Sequence, residues 1–337
     1  MTVGVVGLGR WGPRLAQVLD TMPQAELSWL CDHNPEAHLA LGGRFPGAHI
    51  SSDLDDLLND EDLDAVVVTT PTASHYELVR RVIEAEKHVL VEKPLALRSQ
   101  DADDLVYRAE RSGRRLVVGN MSAFHPGVRR LKKLIDLGRL GEVYSLEARH
   151  HSSPPAGEQE NVLWSVGAGD ISLLIHLLGD EPIEVLARGG SYVKPGIPDA
   201  VACYLRFATG IAAYVYLSLL DARPARSLTV VGSRRTATFD DTLPERKLTI
   251  YDRDGDFVSP RLVEEESLRL ECEHFVAAIR SNGEAAAEAR EGAAVVNVLE
   301  ELQRSLEEQG AARPLEAFHS SPKVVALPLP ARGKQAR

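Results

Sequence analysis

Three stretches of this 337-residue chain carry residues whose types and spacing could do chemistry. The first is Gly7-Leu8-Gly9-Arg10-Trp11-Gly12, a G-x-G-x-x-G run that follows the β-branched stretch Thr2–Val6 and opens a helical pattern. Asp32 stands twenty residues beyond Gly12, at the end of a second apolar run. In that context the run reads as a dinucleotide cradle. Gly7 permits a tight turn, Gly9 lets a pyrophosphate approach the backbone, and Gly12 lets helix and strand pack closely. The helix start offers free N–H groups and a positive dipole end to the phosphates. Asp32 would accept from the adenosine ribose hydroxyls. Its carboxylate repels a 2′-phosphate, and His33 and Asn34 follow it rather than arginine, so NAD is expected over NADP.

The second stretch is a pair of strand ends. TTPTASHYE, 69–77, leaves a continuous apolar run, which would put Thr69, Thr70 and Pro71 beside the cofactor. His75 is either a cofactor neighbour or a capping and packing residue of the helix it begins. VEKPLA, 91–96, places Glu92-Lys93-Pro94 at the next strand end. Lys93 then points toward the reactive end of the cleft, where an amine can act as general acid or base or hold a substrate hydroxyl. Asn120, just past the following strand, is a candidate to line both the cofactor and the substrate side of the cleft.

The third is LWSVGAGDISLLIHLLGD, 163–180, in which a turn of small residues feeds an apolar helix through Asp170. Small residues let a backbone come close to a ligand. Trp164, Gly169 and Asp170 are therefore candidate substrate contacts, although the turn holds no histidine, cysteine, tyrosine or lysine. Asp170 is a catalytic candidate or simply a helix N-cap. His150 and His151 end a strand that enters the loop 152–161, and His151 is retained as a catalytic candidate. His176, two helical turns beyond Gly169, reads as a packed helix residue. Arg226, with Arg223, Arg234 and Arg235, could meet substrate phosphates or be scattered surface charge. The polar loop 152–161 could cover a substrate or be a plain surface loop. The acidic run 264–266 reads as a solvated helix start.

These residues need a scaffold that brings strand ends together. Strand and helix alternate over the first ~120 residues, with strands expected at 2–6, 26–31, 65–69, 88–91 and 115–118. Helices are expected at 10–19, 74–86 and from Ser99, with a short one capped by Ser52. The buried run AVVVT belongs in a parallel sheet, and the alternation implies a doubly wound Rossmann sheet with right-handed crossovers. After a helix at 127–137 the rhythm changes. Strands follow without intervening helices at 143–149, 183–189, 201–207, 211–219, 227–231, 236–239 and 248–251, with helices near 170–178, 266–281 and 291–308. That pattern predicts an α+β domain with an open, mostly antiparallel sheet. The expected division is 1–122, a cofactor-binding domain; 123–319, a domain for substrate binding and oligomerisation; and 320–337, a flexible tail.

Composition narrows the function. The net charge of −11 argues against nucleic acid and gives no attraction to anionic membranes. The stretch 201–220 is long enough to span a bilayer, but Arg206 and Gly210 interrupt it, and it reads as a β-hairpin. Three widely spaced cysteines make no C-x-x-C pair, and no H-E-x-x-H or similar cluster occurs, so no metal site is expected. The first residues lack a basic n-region, and a cytoplasmic location is expected.

VGVVGLGRWG, the Asp32 position, TTPTASHYELVRRVIEAEKHVLVEKPLA and VVGNMSAFHPGVRRLKKLI together resemble the Gfo/Idh/MocA oxidoreductases. The likeness extends to RSLTVVGSRRTATFDD and LECEHFVAAIRS. ENVLWSVGAGDISLLIHLLG is most similar to the branch acting on nucleotide-linked sugars, the UDP-N-acetylglucosaminuronate 3-dehydrogenases. The resemblance implies a sugar-like substrate held between the second sheet and the nicotinamide, with hydride moving to or from a carbinol carbon. It also implies a homodimer or homotetramer whose sheet face packs on a partner, and an acid-base pair made of the EKP lysine and a nearby histidine. In this chain Trp164-Ser165 and Asp170-Ile171 align with the branch, and Gly169 takes the histidine's place. Ser165 stands where other branches carry an aspartate. Three readings stay open: Lys93 does the acid-base work, another residue substitutes, or the scaffold runs a redox-neutral step such as cyclisation, elimination or imine chemistry.

Overall fold

In the computed structural model the described residues are 1–41, 43–152, 161–263, 265–281 and 287–315. Most of the loop 152–161, Glu264, and the expected tail 320–337 lie outside them.

Six parallel strands form the first sheet: β1 (Thr2–Val6), β2 (Glu26–Cys31), β3 (His49–Ser51), β4 (Ala65–Val68), β5 (His88–Val91) and β6 (Leu116–Val118). Their order is β3-β2-β1-β4-β5-β6. Connecting helices are α1 (Gly12–Asp20), α2 (Pro35–Leu41), α3 (Leu54–Leu58), α4 (His75–Glu84) and α5 (Ser99–Ser112). The order reverses between β1 and β4, which opens a crevice at their carboxyl ends. Ala65, Val66, Val67 and Val68 have no solvent exposure. Each fully buried valine contributes on the order of 1.5 kcal/mol or more. The cap of α3 is Asp53 rather than the expected Ser52: its carboxylate accepts from the Asp55 N–H at 2.9 Å. α2 and β3 escape a pattern-based reading because each is short and exposes most of its residues.

The second part begins with α6 (Pro126–Asp136). Its strands are β7 (Val143–His151), β8 (Pro182–Gly190), β9 (Ala200–Phe207), β10 (Ala212–Ser218), β11 (Ala225–Gly232), β12 (Arg235–Asp240), β13 (Leu248–Asp252), β14 (Phe257–Val258) and β15 (Arg313–Pro314). They form one sheet of order β14-β13-β12-β11-β7-β10-β9-β8-β15. β7 and β10 run parallel. The other described neighbours are antiparallel, as the alternating strand pattern implies. The stretch 201–220 is the β9–β10 hairpin, with Tyr204 opposite Tyr214. Among the described residues no helix is long and apolar enough to cross a membrane.

One face of this sheet packs on α7 (Ala168–Leu178) and α9 (Ala287–Glu307) around Leu146, Ala148, Leu174, Leu205 and Leu299. Tyr214 and Tyr216 stand exposed on the other face. The last two helices also close the first sheet. Cys272 and Phe275 of α8 (Ser267–Arg280) join one of its cores, and Ala293 and Val296 of α9 join the other. The two sheets are thus held by the shared helix α9, and β5, β6 and α7 meet where Lys93 lies.

Candidate active site

The fingerprint loop behaves as its residue types dictate. Gly7 has φ +94°, a conformation that favours glycine. A Cβ on Gly12 would lie 1.9 Å from the Gly7 carbonyl oxygen, so helix and strand touch there. A Cβ on Gly9 would meet nothing within 4 Å, which is the open approach a pyrophosphate needs. The start of α1 has no side-chain cap and no acidic residue in its first turn, leaving its N–H groups for an anion. Leu8 is buried, and the Arg10 and Arg14 guanidiniums sit over the Trp11 ring at 5.8 and 5.2 Å. Asp32 accepts from the Leu8 N–H at 2.6 Å and from the Asn34 N–H at 2.8 Å, so its carboxylate stands at the mouth of the loop. These features fit a bound NAD.

The strand-end loops are tied to the fingerprint and to each other. Thr69 Oγ1 donates to the Gly7 carbonyl at 2.6 Å. Ser74 Oγ bridges Thr70 Oγ1 and the Pro71 carbonyl, each at 2.8 Å. His75 is 1% exposed, with Nε2 2.8 Å from the Thr70 carbonyl and Nδ1 2.8 Å from the Pro94 carbonyl. It is therefore a strut between the two loops, behind the cleft, and burial pulls its pKa down. Lys93-Pro94 is a cis peptide.

The Gly169 region corrects the sequence reading. Residues 163–167 are not a loose turn but a π-helical turn continuous with α7. Asp170 lies inside the first turn of α7, whose N-cap is Gly167, so it is no cap. Its Oδ2 is 2.9 Å from His150 Nδ1, and both side chains are largely buried. His151, the histidine favoured on sequence, is on the wrong side. Successive strand residues point to opposite faces. His151 therefore faces Tyr216 at 5.2 Å and Asp221 at 3.4 Å, away from Asp170. Trp164 packs against both the first-sheet and second-sheet cores. Ser165 Oγ donates to the Asn161 carbonyl at 3.0 Å, closing its own turn.

Lys93 fills the space that Gly169 leaves. A Cβ on Gly169 would lie 3.2 Å from Lys93 Cε and 3.4 Å from Nζ. Asn120 is close by, donating through Nδ2 to Ser172 Oγ at 2.7 Å, while its buried Oδ1 has no partner among the described residues. Arg226 pairs with Asp241 at 3.3 Å and donates to Ser122 Oγ. With Asp170, His125 and Phe239 it lines a small cavity against the second sheet. His125, unremarked in the sequence, caps α6 by accepting from the Gly127 N–H at 3.0 Å.

Three carboxyls gather around Lys93: Glu92 of the strand-end motif, and Glu271 and Glu291, to which the sequence reading gave no role. Burial pushes Glu271 up to about 8, and the charge of Glu92 adds to the rise. Glu92 is itself raised by burial, with Lys93 opposing. Burial also raises Glu291 to about 7, and it stands 3.9 Å from His176. Acids with raised folded pKa values favour the fold while protonated. Their contribution is complete at acid pH and is lost as pH rises through about 7 to 8. Glu92 belongs to the Glu92-Lys93-Pro94 motif and Glu271 to LECEHFVAAIRS, but nothing in the spacing of Glu271 or Glu291 marks either as a neighbour of Lys93. The three cysteines are buried and free, with burial raising Cys31 to about 11 and Cys203 to about 12. No cluster of metal-ligating side chains occurs among the described residues.

Comparison with known proteins agrees with this geometry. Inositol 2-dehydrogenase of Rhizobium meliloti is 28% identical, over 92% of this chain and 98% of its own length. UDP-N-acetylglucosamine 3-dehydrogenase GnnA of Acidithiobacillus ferrooxidans superposes with a TM-score of 0.82 at 25% identity, covering 92% of this chain and 98% of that one. 2,7-Anhydro-N-acetylneuraminate hydratase of Escherichia coli is 30% identical, over 57% of this chain and 54% of its own. Residues 1–120 match the oxidoreductase family with an NAD-binding Rossmann fold, and residues 128–238 match the GFO/IDH/MocA C-terminal domain. The chain therefore belongs to the Gfo/Idh/MocA oxidoreductase family.

Proposed function

We propose that this protein is an NAD-dependent dehydrogenase of a carbinol in a sugar, nucleotide sugar or cyclitol, with Lys93 as its acid-base group. The observation that carries the reading is the position of Lys93, whose side-chain nitrogen lies against Gly169 where the family resemblance places a histidine. NAD, when bound, supplies the hydride acceptor. Gly7, Gly9, Gly12, Thr69, Thr70 and Pro71 form its cradle, Asp32 holds its ribose, and His75 fixes the two loops around it. Lys93 accepts the hydroxyl proton, and Asn120 orients the substrate oxygen beside it. Asp170 and His150 form a second polar pair toward the sheet, and Arg226 faces the substrate's anionic or hydroxyl-rich end. The names of relatives that act on inositol and on UDP-N-acetylglucosamine support this substrate class. The test is NADH absorbance on adding NAD with myo-inositol or UDP-N-acetylglucosamine. Reduction with one of them is expected, and none with either class of compound contradicts the reading.

Gly169 and the hydratase relative favour one second reading, a redox-neutral step on the same scaffold. It predicts substrate consumption with no net NADH.

Gly169→Ala tests the contact itself. Its methyl group would press on the flexible end of Lys93, which must retreat by a few tenths of an ångström. Turnover is expected to fall about 10-fold with Kd for NAD unchanged, since small misplacements of a reacting group are costly. Steady-state kinetics beside calorimetry checks this.

The exposed tyrosine face of the second sheet is proposed as the homo-oligomer contact. Tyr204 and Tyr214 rings lie 5.5 Å apart, and Tyr216 continues the apolar surface. Tyr216→Glu is expected to lower the mass measured by light scattering to that of a smaller species. An unchanged mass would remove this face from the assembly.

A further inference from the structure

A cavity of about 330 Å³ lies behind Lys93, between the edge strand β6 and helices α7, α8 and α9. Lys93, Asn120 and Ser172 line it on the side of the site. His274 and Glu288 line it toward solvent, 42% and 40% exposed and joined by a 2.5 Å hydrogen bond. Between them stands Glu271, 2% exposed, whose Oε1 has no partner among the described residues. The Oδ1 of Asn120 in the same wall also lacks one.

Buried acceptors without donors are costly unless water or a proton satisfies them. Most of the cavity's surface is apolar, but Lys93, Asn120, Ser172, Glu271, His274 and Glu288 also line it, and it is large enough for several waters held by those groups. The groups around Glu271 are Glu92 and Lys93 from the turn after β5 and the N–H of Asn120 after β6. Ser172 and His176 of α7, Arg129 of α6, and Glu288 and Glu291 of α9 share the cavity wall. A carboxyl so placed has a lysine on one side and a wet route to a surface histidine–glutamate pair on the other.

We propose that Glu271 and this cavity carry to solvent the proton that Lys93 takes from the substrate. The inference rests on the acid-base role proposed for Lys93. In the oxidative direction the substrate O–H bond breaks and its proton joins the Lys93 nitrogen. The carbon-bound hydrogen leaves with its electron pair to the nicotinamide dinucleotide. An N–H bond of the Lys93 ammonium then breaks, and the proton bonds to the Glu271 carboxylate. From there it passes through cavity water to the His274–Glu288 pair and out. One proton reaches solvent for each hydride delivered, and Lys93 is ready for the next turnover. With no histidine at position 169, this route replaces an acid-base partner on the substrate side with one behind the lysine.

The test is Glu271→Gln, which keeps shape and removes proton exchange. In the protein without substrate, the infrared absorption of protonated carboxyls is expected to lose a component between pH 6 and 9 that the variant lacks. No difference between the two proteins would overturn the proposal. With whichever of myo-inositol or UDP-N-acetylglucosamine is turned over, kcat of the variant is expected to fall about 10-fold or more. KM and the Kd for NAD stay unchanged, the acidic limb of the pH profile set by Glu271 disappears, and added imidazole restores turnover. A wild-type pH profile in Glu271→Gln, beside an inactive Lys93→Met, overturns the relay and leaves Lys93 standing. Full activity in Lys93→Met overturns the underlying acid-base reading instead. Should Glu271→Gln fold poorly, His274→Gln at the solvent end decides: turnover lowered and rescued by imidazole supports the route, and unchanged turnover overturns it.

Discussion

Replacing Lys93 with methionine is expected to lower turnover by about 10²–10⁴, the usual cost of removing a general acid-base group. The substitution keeps the length and apolar stem of the side chain and removes the ammonium. The three atoms nearest to a Cβ on Gly169 all belong to Lys93, so the amine is the group placed where the family resemblance puts a histidine. Asp170 and His150 are paired with each other, and His151 faces the far side of its sheet. The Kd for NAD should change little, since the fingerprint, Asp32 and the Thr69 loop are untouched. Kinetics with calorimetry on the same preparation separates the two effects. Wild-type turnover in Lys93→Met would take the lysine out of the chemistry, and lost NAD binding would make its role structural.

The second large effect belongs to Gly12. An added methyl group would sit 1.9 Å from the Gly7 carbonyl oxygen and 3.1 Å from Thr69 Oγ1. The first of these neighbours is backbone and cannot rotate away. Gly12→Ala must therefore push α1 off β1 or break the bond between Thr69 and the Gly7 carbonyl. Overpacking of this kind costs about 1–3 kcal/mol or more. NAD binding should fall below detection by calorimetry, and thermal unfolding should move down by several degrees. Gly9→Ala is the useful contrast. Space is free around that position, so the fold should keep its thermal stability and lose affinity only through obstruction of the pyrophosphate. Equal stability losses in the two variants would contradict the assignment of separate roles to the glycines.

Much of this was legible in the residues themselves. The fingerprint glycines and the two strand-end motifs are each short contiguous runs, and Asp32 follows Gly12 at a set spacing, so local sequence was enough to read them as strand ends of a doubly wound sheet. The β9–β10 hairpin was legible for a similar reason, because Gly210 breaks an otherwise continuous apolar run. The histidines were harder. His150 and His151 are neighbours in sequence, and which of them faces Asp170 depends on the register of β7 against β10 and β11, a non-local property. Asp170 reads as a cap only if the helix begins at it, and the π-helical turn before it leaves no such trace in the sequence. Glu271 was invisible because its partners come from the turns after β5 and β6, far away in the chain. The same distance hid the packing of α8 on the first sheet and the sharing of α9 between both sheets.

The central claim is that an amine at position 93 carries the proton, and chemical rescue measures that directly. Lys93→Ala, saturated with NAD and a substrate that the wild type oxidises, is titrated with methylamine while NADH absorbance is followed. Turnover that rises with methylamine concentration, and that ethylamine supports while sodium chloride of equal ionic strength does not, is the predicted result. A variant that binds NAD normally yet gains nothing from any small amine, or that needs none, would contradict it.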